Sequence, residues 1–512
     1  MAWPPALLAT TLIFSTLGCG GCGSIAFDSA DQASARKTTT KVATAVAAPA
    51  GFRAMLVAQG LNYPSAMDWD DRGRLFVLQS HSVPLPFTGV KIVRFEPSGE
   101  LVDIELTGPG APTGNVAVGL VFHEGYFYLS HEEKDGTWGV SRFRPDGGDT
   151  AAVLRGLPAS GDHWVNHLVF DRAGTLYFGI GSGTNSGVVS SHDPVNGKWL
   201  KDRPAAHDIP CRELTLLGAQ FTDDNATTEE KGDRATTGAY QAYGHSAEKT
   251  VAGEDLCTGA VYRLVAGADR PELVAWGFRN PVGLAVAADG TIYVGAQGAD
   301  VRGTRPVLDD VDAIYRLKPG SWYGWPDFGG DFTPFTNQNH AVPADHSAAG
   351  QDGPVPLLDL AKSGLAAPDR SLLVYPTEPH VAICGIDVIP ASGPFASWAG
   401  QILVSEMGDF RPTTDAIHSD VRAGFQVELV DPRSGQATVF LRNSARLADG
   451  SSQPASALDL EVGLERPVDV RVGPDGLIYV LDFGVFEATP TAGKVFPKTG
   501  KIFRVENDPS YR

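Results

Sequence analysis

Charge, sulfur and long apolar runs are all scarce in this chain. Only 20% of its 512 residues are charged, and Asp plus Glu outnumber Lys plus Arg 60 to 41, a formal net charge of −19. That balance excludes a broad surface for nucleic acid or an anionic membrane, so any anionic ligand would be held by particular Arg or Lys residues. There are five cysteines, and the "CGGC" of residues 19–22 is not followed by His, which excludes a c-type haem attachment. Past the N-terminus no stretch is long and apolar enough to span a bilayer as a helix. No long helical periodicity appears either. Glycine (59) and proline (36) are abundant, which implies many turns, and the composition is not that of a disordered chain.

The N-terminus reads as an export signal over residues 1–22. "ALLATTLIFSTLG" has the length of a signal h-region, although no basic residue precedes it. Cys19 follows Thr-Leu-Gly, a loose lipoprotein cleavage pattern. Lipid attachment at Cys19 and ordinary secretion both stay open, and either gives a periplasmic or extracellular protein. Residues 23–50 are small and polar and read as a flexible tether. Residues 51–512 form the folded body. Export permits a disulfide. Cys211 and Cys257 bracket one polar insertion and are expected to pair, leaving Cys384 as a buried free thiol.

The body repeats one phrase, a small polar turn with Gly followed by an apolar strand. It occurs as "DDRGRLFVLQS", "FHEGYFYLSH", "DRAGTLYFGIG", "AADGTIYVGAQG", "SWAGQILVSEMG" and "GPDGLIYVLDFG". The first three lie about 50 residues apart, and later gaps hold insertions. Units of this length cannot bury their faces alone, and they stack radially as blades. The expected fold is an all-β, six-bladed β-propeller with long inter-blade insertions. The blade-connecting loops would then converge around the axis.

Four such segments carry unusual residues. "GDHWVNHLVFDRAGTLYFGIG" places Asp162, His163 and His167 ahead of a strand. "WGFRNPVGLA" puts Arg279 and Asn280 before another, and "LERPVDV" does the same with Arg466. "DDVDAIYRLKPGSWYGWP" supplies Asp309, Asp310 and Asp312. Taken singly each has an ordinary reading. A loop Arg is usually solvated or salt-bridged, an Asp cluster is usually a turn, and a lone His before a strand is usually not catalytic.

In this order the segments resemble the soluble glucose dehydrogenase/sorbosone dehydrogenase family, over roughly residues 52–508. That resemblance implies a six-bladed propeller using pyrroloquinoline quinone (PQQ) held by Ca2+. It puts the catalytic His at His163, with Asp162 orienting or tuning it, and quinone contacts at Arg279 and Asn280. Arg466 would contact a cofactor carboxylate. Calcium would be held by the Asp312 carboxylate and the carbonyls of Gly298, Ala299 and Tyr323. The implied activity is oxidation of a sugar, aldose or sugar alcohol, with electrons passed to an external quinone or cytochrome. Neutral His suits proton removal near neutral pH. Arg279 would stabilise the oxyanion that develops as hydride arrives. His167, where the family carries Arg, reads as secondary or structural.

The chain departs from the family in places. Near Met407 the family has a cofactor-contacting Lys. A family Gln aligns near Asn115, a shorter donor. Residues 188–257 form a long insertion beside the His163 strand, expected to reshape or cover the substrate side. Two other functions stay open: a binding propeller that has lost the cofactor, and a calcium-dependent lactonase-type hydrolase.

Overall fold

Each of the six glycine-turn phrases folds as the hairpin between the first and second strands of one blade. The turn glycines Gly73, Gly125, Gly174, Gly290, Gly400 and Gly476 all have positive φ, between 71° and 88°. A side chain there would be strained, so glycine fixes the turn and hence the strand register. A computed structural model describes residues 36–510 apart from 38–39, 81–88, 97, 229, 344–353, 419, 447–449 and 491–492. The signal and lipid-anchor expectations at residues 1–22 lie outside the described residues.

The six blades are antiparallel sheets. The first is Pro64–Trp69, Leu75–Gln79, Lys91–Phe95 and Glu100–Ile104. The second is Ala117–His123, Tyr126–Glu132, Trp138–Phe143 and Ala151–Leu157. The third is Val165–Phe170, Leu176–Ile180, Ala260–Leu264 and Glu272–Trp276, with the 188–257 insertion between its second and third strands. The fourth is Asn280–Val286, Ile292–Gln297, Val311–Arg316 and Leu373–Pro379, and the fifth Ile383–Val388, Ile402–Glu406, Gln426–Asp431 and Gln436–Asn443. The sixth joins Pro467–Val472, Ile478–Asp482 and Gly500–Asn507 to Phe52–Leu61 from the start of the body. That pairing of N- and C-terminal strands closes the ring, and the first strands of successive blades touch all the way around it.

Blades hold together through their apolar faces. Phe76 of the first blade meets Phe127 of the second at 4.4 Å between ring centroids, and both are fully buried. Each such ring stabilises the stack by roughly 1.5–3 kcal/mol. The tether expected over 23–50 gives way to strand pairing before its end. Lys41–Val42 pairs with Phe52–Leu61, and Val46–Ala47 pairs with Gln436–Asn443. Ala43 and Val46 are apolar and fully buried, which draws this segment onto the core. Among the described residues no helix is long and apolar enough to cross a membrane.

Cys211 and Cys257 form a disulfide, and Cys384 is a buried free thiol, as the sequence suggested. The disulfide closes residues 211–257 of the insertion into a loop. Replacing both cysteines by serine is expected to lower unfolding free energy by roughly 2–4 kcal/mol. Denaturant melts of the variant beside the wild type check this, and coincident midpoints would contradict it.

Candidate active site

The loops that enter the first strands of the blades meet around the propeller axis. They enclose a cavity of about 440 Å³, lined by residues from all six blades. Its walls include Ser65, Asn115, Asp162, His163, His167, Arg279, Asn280, Gly298, Asp312, His380, Cys384, Met407 and Val468. The volume suits one small organic ligand.

His163 sits just before Val165–Phe170. Its Nδ1 lies 2.8 Å from the carbonyl oxygen of Ser182, which can only accept. Nδ1 therefore carries the proton, and Nε2 keeps its lone pair. Ser182 is itself fixed: its N–H donates to the Arg279 carbonyl at 2.7 Å and its hydroxyl to the Thr184 carbonyl at 2.6 Å. Burial, then the charges of Arg279 and Arg302, hold the imidazole well below its ordinary pKa. Glycine at 181 is needed here, because a Cβ would stand 2.3 Å from His163 Cβ and 2.6 Å from Asn280 Oδ1.

Arg279 donates from Nε to the Asn185 carbonyl at 3.0 Å. Its Nη2 donates to Asn185 Oδ1 at 3.1 Å and Asp300 Oδ2 at 2.7 Å. Those contacts fix one edge of the guanidinium, and Nη1 makes no hydrogen bond among the described residues. Asn280 accepts from Asn166 Nδ2 and donates to Gln297 Oε1, both at 2.8 Å, and Gln297 continues to the Ile383 carbonyl. This chain spans three blades and holds the floor rigid. Asn115 is exposed at the cavity wall.

Several residues differ from their expected places. The orienting contact on His163 comes from Ser182. Asp162 accepts from Trp199 Nε1 at 2.8 Å and pairs with Arg302 at 2.8 Å, and so acts on His163 through the charge of Arg302. Burial pushes Asp162 up to about 6 despite that pairing. Arg466 does not line the cavity. Its guanidinium donates to the carbonyls of Met407, Gly408 and Asp409 at 3.3, 2.9 and 2.9 Å, and lies against the rings of Phe410, Phe425 and Phe486. Burial lowers its pKa to about 10. It props the end of the fifth blade's second strand, so the expected carboxylate contact is replaced by backbone carbonyls.

Of the four expected calcium ligands, Gly298 and Asp312 line the cavity, and Ala299 and Tyr323 do not. Tyr323 stacks on Phe278 at 4.2 Å, and its hydroxyl donates to the Arg316 carbonyl. Asp312 accepts from the N–H of Gly298 at 2.8 Å and of Ile383 at 2.7 Å, and burial pushes it up to about 6. Among the described residues no three His, Cys, Asp or Glu side chains converge as a metal cage.

Three functional residues were not read from the sequence. Asp300 takes Arg279 and Arg302 on one oxygen, with His380 Nδ1 3.5 Å from the other. Burial raises its pKa, but Arg279, His380 and Arg302 outweigh that and hold it well below the carboxylate range. Arg302 also grips Asp193 at 2.6 and 2.7 Å. His380 stands in the loop that enters its blade's first strand, as His163 does in its own, one residue further from the strand. That positional repeat was the signal available. His380 and Ala382 both have positive φ, 65° and 54°, so the backbone is strained where it borders the cavity.

The comparisons with known proteins bear on this arrangement. No family model matches the chain. Aldose sugar dehydrogenase YliI of Escherichia coli is 26% identical over 211 residues, 38% of this chain and 52% of the relative. The chain is similar to a sugar dehydrogenase. The match spans only about half the length of that relative. A Trichoderma reesei enzyme of carbohydrate-active family AA12, in its calcium structure, covers 92% of this chain and 99% of its own at 15% identity, TM-score 0.50. The holo PQQ domain of pyranose dehydrogenase from Coprinopsis cinerea covers 92% and 98% at 12% identity, TM-score 0.49. At 15% identity the likeness to the Trichoderma reesei enzyme shows the fold alone.

Proposed function

We propose that the chain oxidises a sugar, aldose or sugar alcohol with PQQ and Ca2+, and that His163 is the general base. The observation that carries this is the His163 tautomer: Nδ1 is pinned on the Ser182 carbonyl, and Nε2 is left unprotonated in the cavity that Arg279 also lines. When bound, PQQ supplies the two-electron acceptor for the hydride of the substrate C–H, and Ca2+ a Lewis acid beside it.

The chain's own residues do the rest. His163 Nε2 takes the hydroxyl proton, so the C–H carbon becomes a carbonyl carbon once the hydride has left. The Ser182 carbonyl and the charge of Asp300 favour the imidazolium so formed, while burial and the charges of Arg279 and Arg302 oppose it, so the proton is readily passed on. Arg279 Nη1 would donate to negative charge in the cavity. Arg279 and Asn280 remain the proposed quinone contacts, with Asn115 at the wall.

Charge balance favours a cofactor that arrives with a cation. The cavity is lined by the guanidinium groups of Arg203, Arg279 and Arg302 and by the carboxyls of Glu132, Asp162, Asp202, Asp300 and Asp312. A tricarboxylate entering such a site needs added positive charge, and Ca2+ beside Asp312 would supply it. The residues fit the pair to that extent, with Gly298 and Asp312 facing it and the other two expected ligands outside. The lactonase-type reading would require several converging side-chain carboxylates, which the described residues do not show.

The test is titration of PQQ and Ca2+ into purified protein. A shift in PQQ absorbance, followed by dye reduction on adding aldoses, is expected; no shift overturns the reading. Because the pKa of His163 lies below its ordinary 6.5, the base stays neutral into mild acid. The acid limb of kcat/KM is therefore expected below pH 6.5, rate falling as pH drops through the His163 pKa. A limb centred above pH 7 would exclude His163 as that base.

A further inference from the structure

We infer that residues 193–203 of the insertion form the sugar-binding wall of the cavity, with Arg203 and Glu132 reading hydroxyls and Trp199 packing on the carbon framework of a neutral sugar. The inference rests on the sugar-oxidising reading above and says which part of the molecule selects the sugar.

The argument begins with position. Val195, Trp199, Asp202 and Arg203 line the same cavity as His163, although they belong to the insertion and not to the blades. This wall is held in place by buried contacts. Asp193 takes both of its oxygens to Arg302 Nη1, and Arg302 also pairs with Asp162, beside the base. Trp199 Nε1 donates to Asp162 at 2.8 Å, and the indole packs with Val189 and Leu200 in a small core of the insertion. The chain then turns tightly, with the N–H groups of Asp202 and Arg203 both donating to the Trp199 carbonyl, at 3.1 and 2.9 Å. The tryptophan and Arg203 are thus one rigid unit, joined to the base through Asp162.

Arg203 completes the wall. Its Nη2 pairs with Glu132 of the second blade, and its Nη1 donates to the Ser160 carbonyl at 3.2 Å. Both ends of the pair remain partly open: the side chains are 29% and 15% exposed. A guanidinium with spare N–H groups and a carboxylate with spare lone pairs suit vicinal hydroxyls, each of which donates and accepts. The indole supplies the apolar surface that a sugar ring's C–H groups need. The sign of the charge narrows the class. Glu132 and Asp202 outnumber Arg203 at this wall, so uronic acids and sugar phosphates are disfavoured against neutral sugars.

The test uses the full chain without added cofactor, so that sugar binding is read apart from turnover. Saturation-transfer NMR titrations with D-glucose, D-galactose, D-xylose and D-glucuronate give dissociation constants for the wild type, Arg203→Met, Arg203→Lys and Trp199→Phe. Arg203→Met is expected to weaken neutral sugars about tenfold or more, the loss of a charge-assisted hydrogen bond. Arg203→Lys should recover part of it, and glucuronate should bind the wild type more weakly than glucose does. Melting temperatures check that the variants fold. In loaded enzyme Arg203→Met should raise KM by a larger factor than it lowers kcat. Wild-type protein that binds none of these sugars, or Arg203→Met and Trp199→Phe variants that both bind as the wild type does, would overturn the inference. Failure of PQQ to bind while Arg203→Met still loses sugar binding would sink the quinone reading and keep the wall.

Discussion

His163→Ala is expected to keep the fold and PQQ binding and to lose turnover by roughly two to four orders of magnitude, the usual contribution of a positioned general base. The geometry makes this specific. His163 is 7% exposed, its Nδ1–H is committed to Ser182, and its Nε2 has no protein partner among the described residues. His167 lines the cavity and is also neutral through burial, but it lies on the inner strand and not on the loop. His380 is the opposite case. Burial lowers its pKa, yet the carboxylates of Asp300 and Asp415 win and hold it above its ordinary value, so it is a poor proton acceptor. Rates of the variant measured at saturating cofactor, with cofactor absorbance confirming occupancy, decide the matter. Near-normal turnover would pass the role to His167 or end the oxidoreductase reading.

The fold was legible because its determinants are local. A positive-φ glycine turn followed by an alternating apolar strand needs no distant partner to be recognised, and six copies leave little choice of architecture. The ring of entry loops was legible for the same reason: His163, Arg279 and Arg466 each stood just ahead of a strand already assigned to the axis. Which way a loop side chain turns was not legible. Arg466 occupies the entry position of its blade, as His163 and Arg279 do, yet three carbonyls at residues 407–409 and three phenyl rings capture it. Nothing in "LERPVDV" announces those partners, since they come from residues 407–425 and 486. Asp162 shows the same limit. Next to His163 in sequence, it is drawn to Arg302 and Trp199, which lie 140 and 37 residues away along the chain. The insertion's part in the cavity was expected only in outline. Its contribution depends on a four-residue helix, Asn196–Trp199, too short to have a periodicity.

The second large effect expected is mutual dependence of Ca2+ and PQQ. Asp312 is 3% exposed, and its carboxylate is met by two backbone N–H groups with no ion pair to it among the described residues. Around it the lining carboxyls outnumber the guanidinium groups. A tricarboxylate alone would meet that surplus at close range in a partly desolvated cavity, where like charges are screened little. A divalent cation alone would find one carboxylate and few carbonyls, a weak site by the standard of calcium loops. Together each supplies what the other lacks, and the coupling is reciprocal: whatever factor Ca2+ adds to PQQ affinity, PQQ adds to Ca2+ affinity. A coupling of the usual size is about 5–150-fold. Chelation should release PQQ, and Mg2+ should replace Ca2+ poorly, because it demands a tighter octahedral shell. Asp312→Ala should weaken both ligands. It should also cost stability, since the Gly298 and Ile383 amides, which join the fourth and fifth blades, each use a different oxygen of Asp312; Asp312→Asn keeps one of those acceptors and sets its Nδ2 against the other N–H, so it retains part of the contact. The expected result is an Asn variant that still folds, melts below wild type and above the Ala variant, and has lost most of the calcium effect on PQQ. Equal PQQ affinity in chelator and in Ca2+, measured on wild-type protein, would show that the cavity takes its quinone without the metal, or takes none.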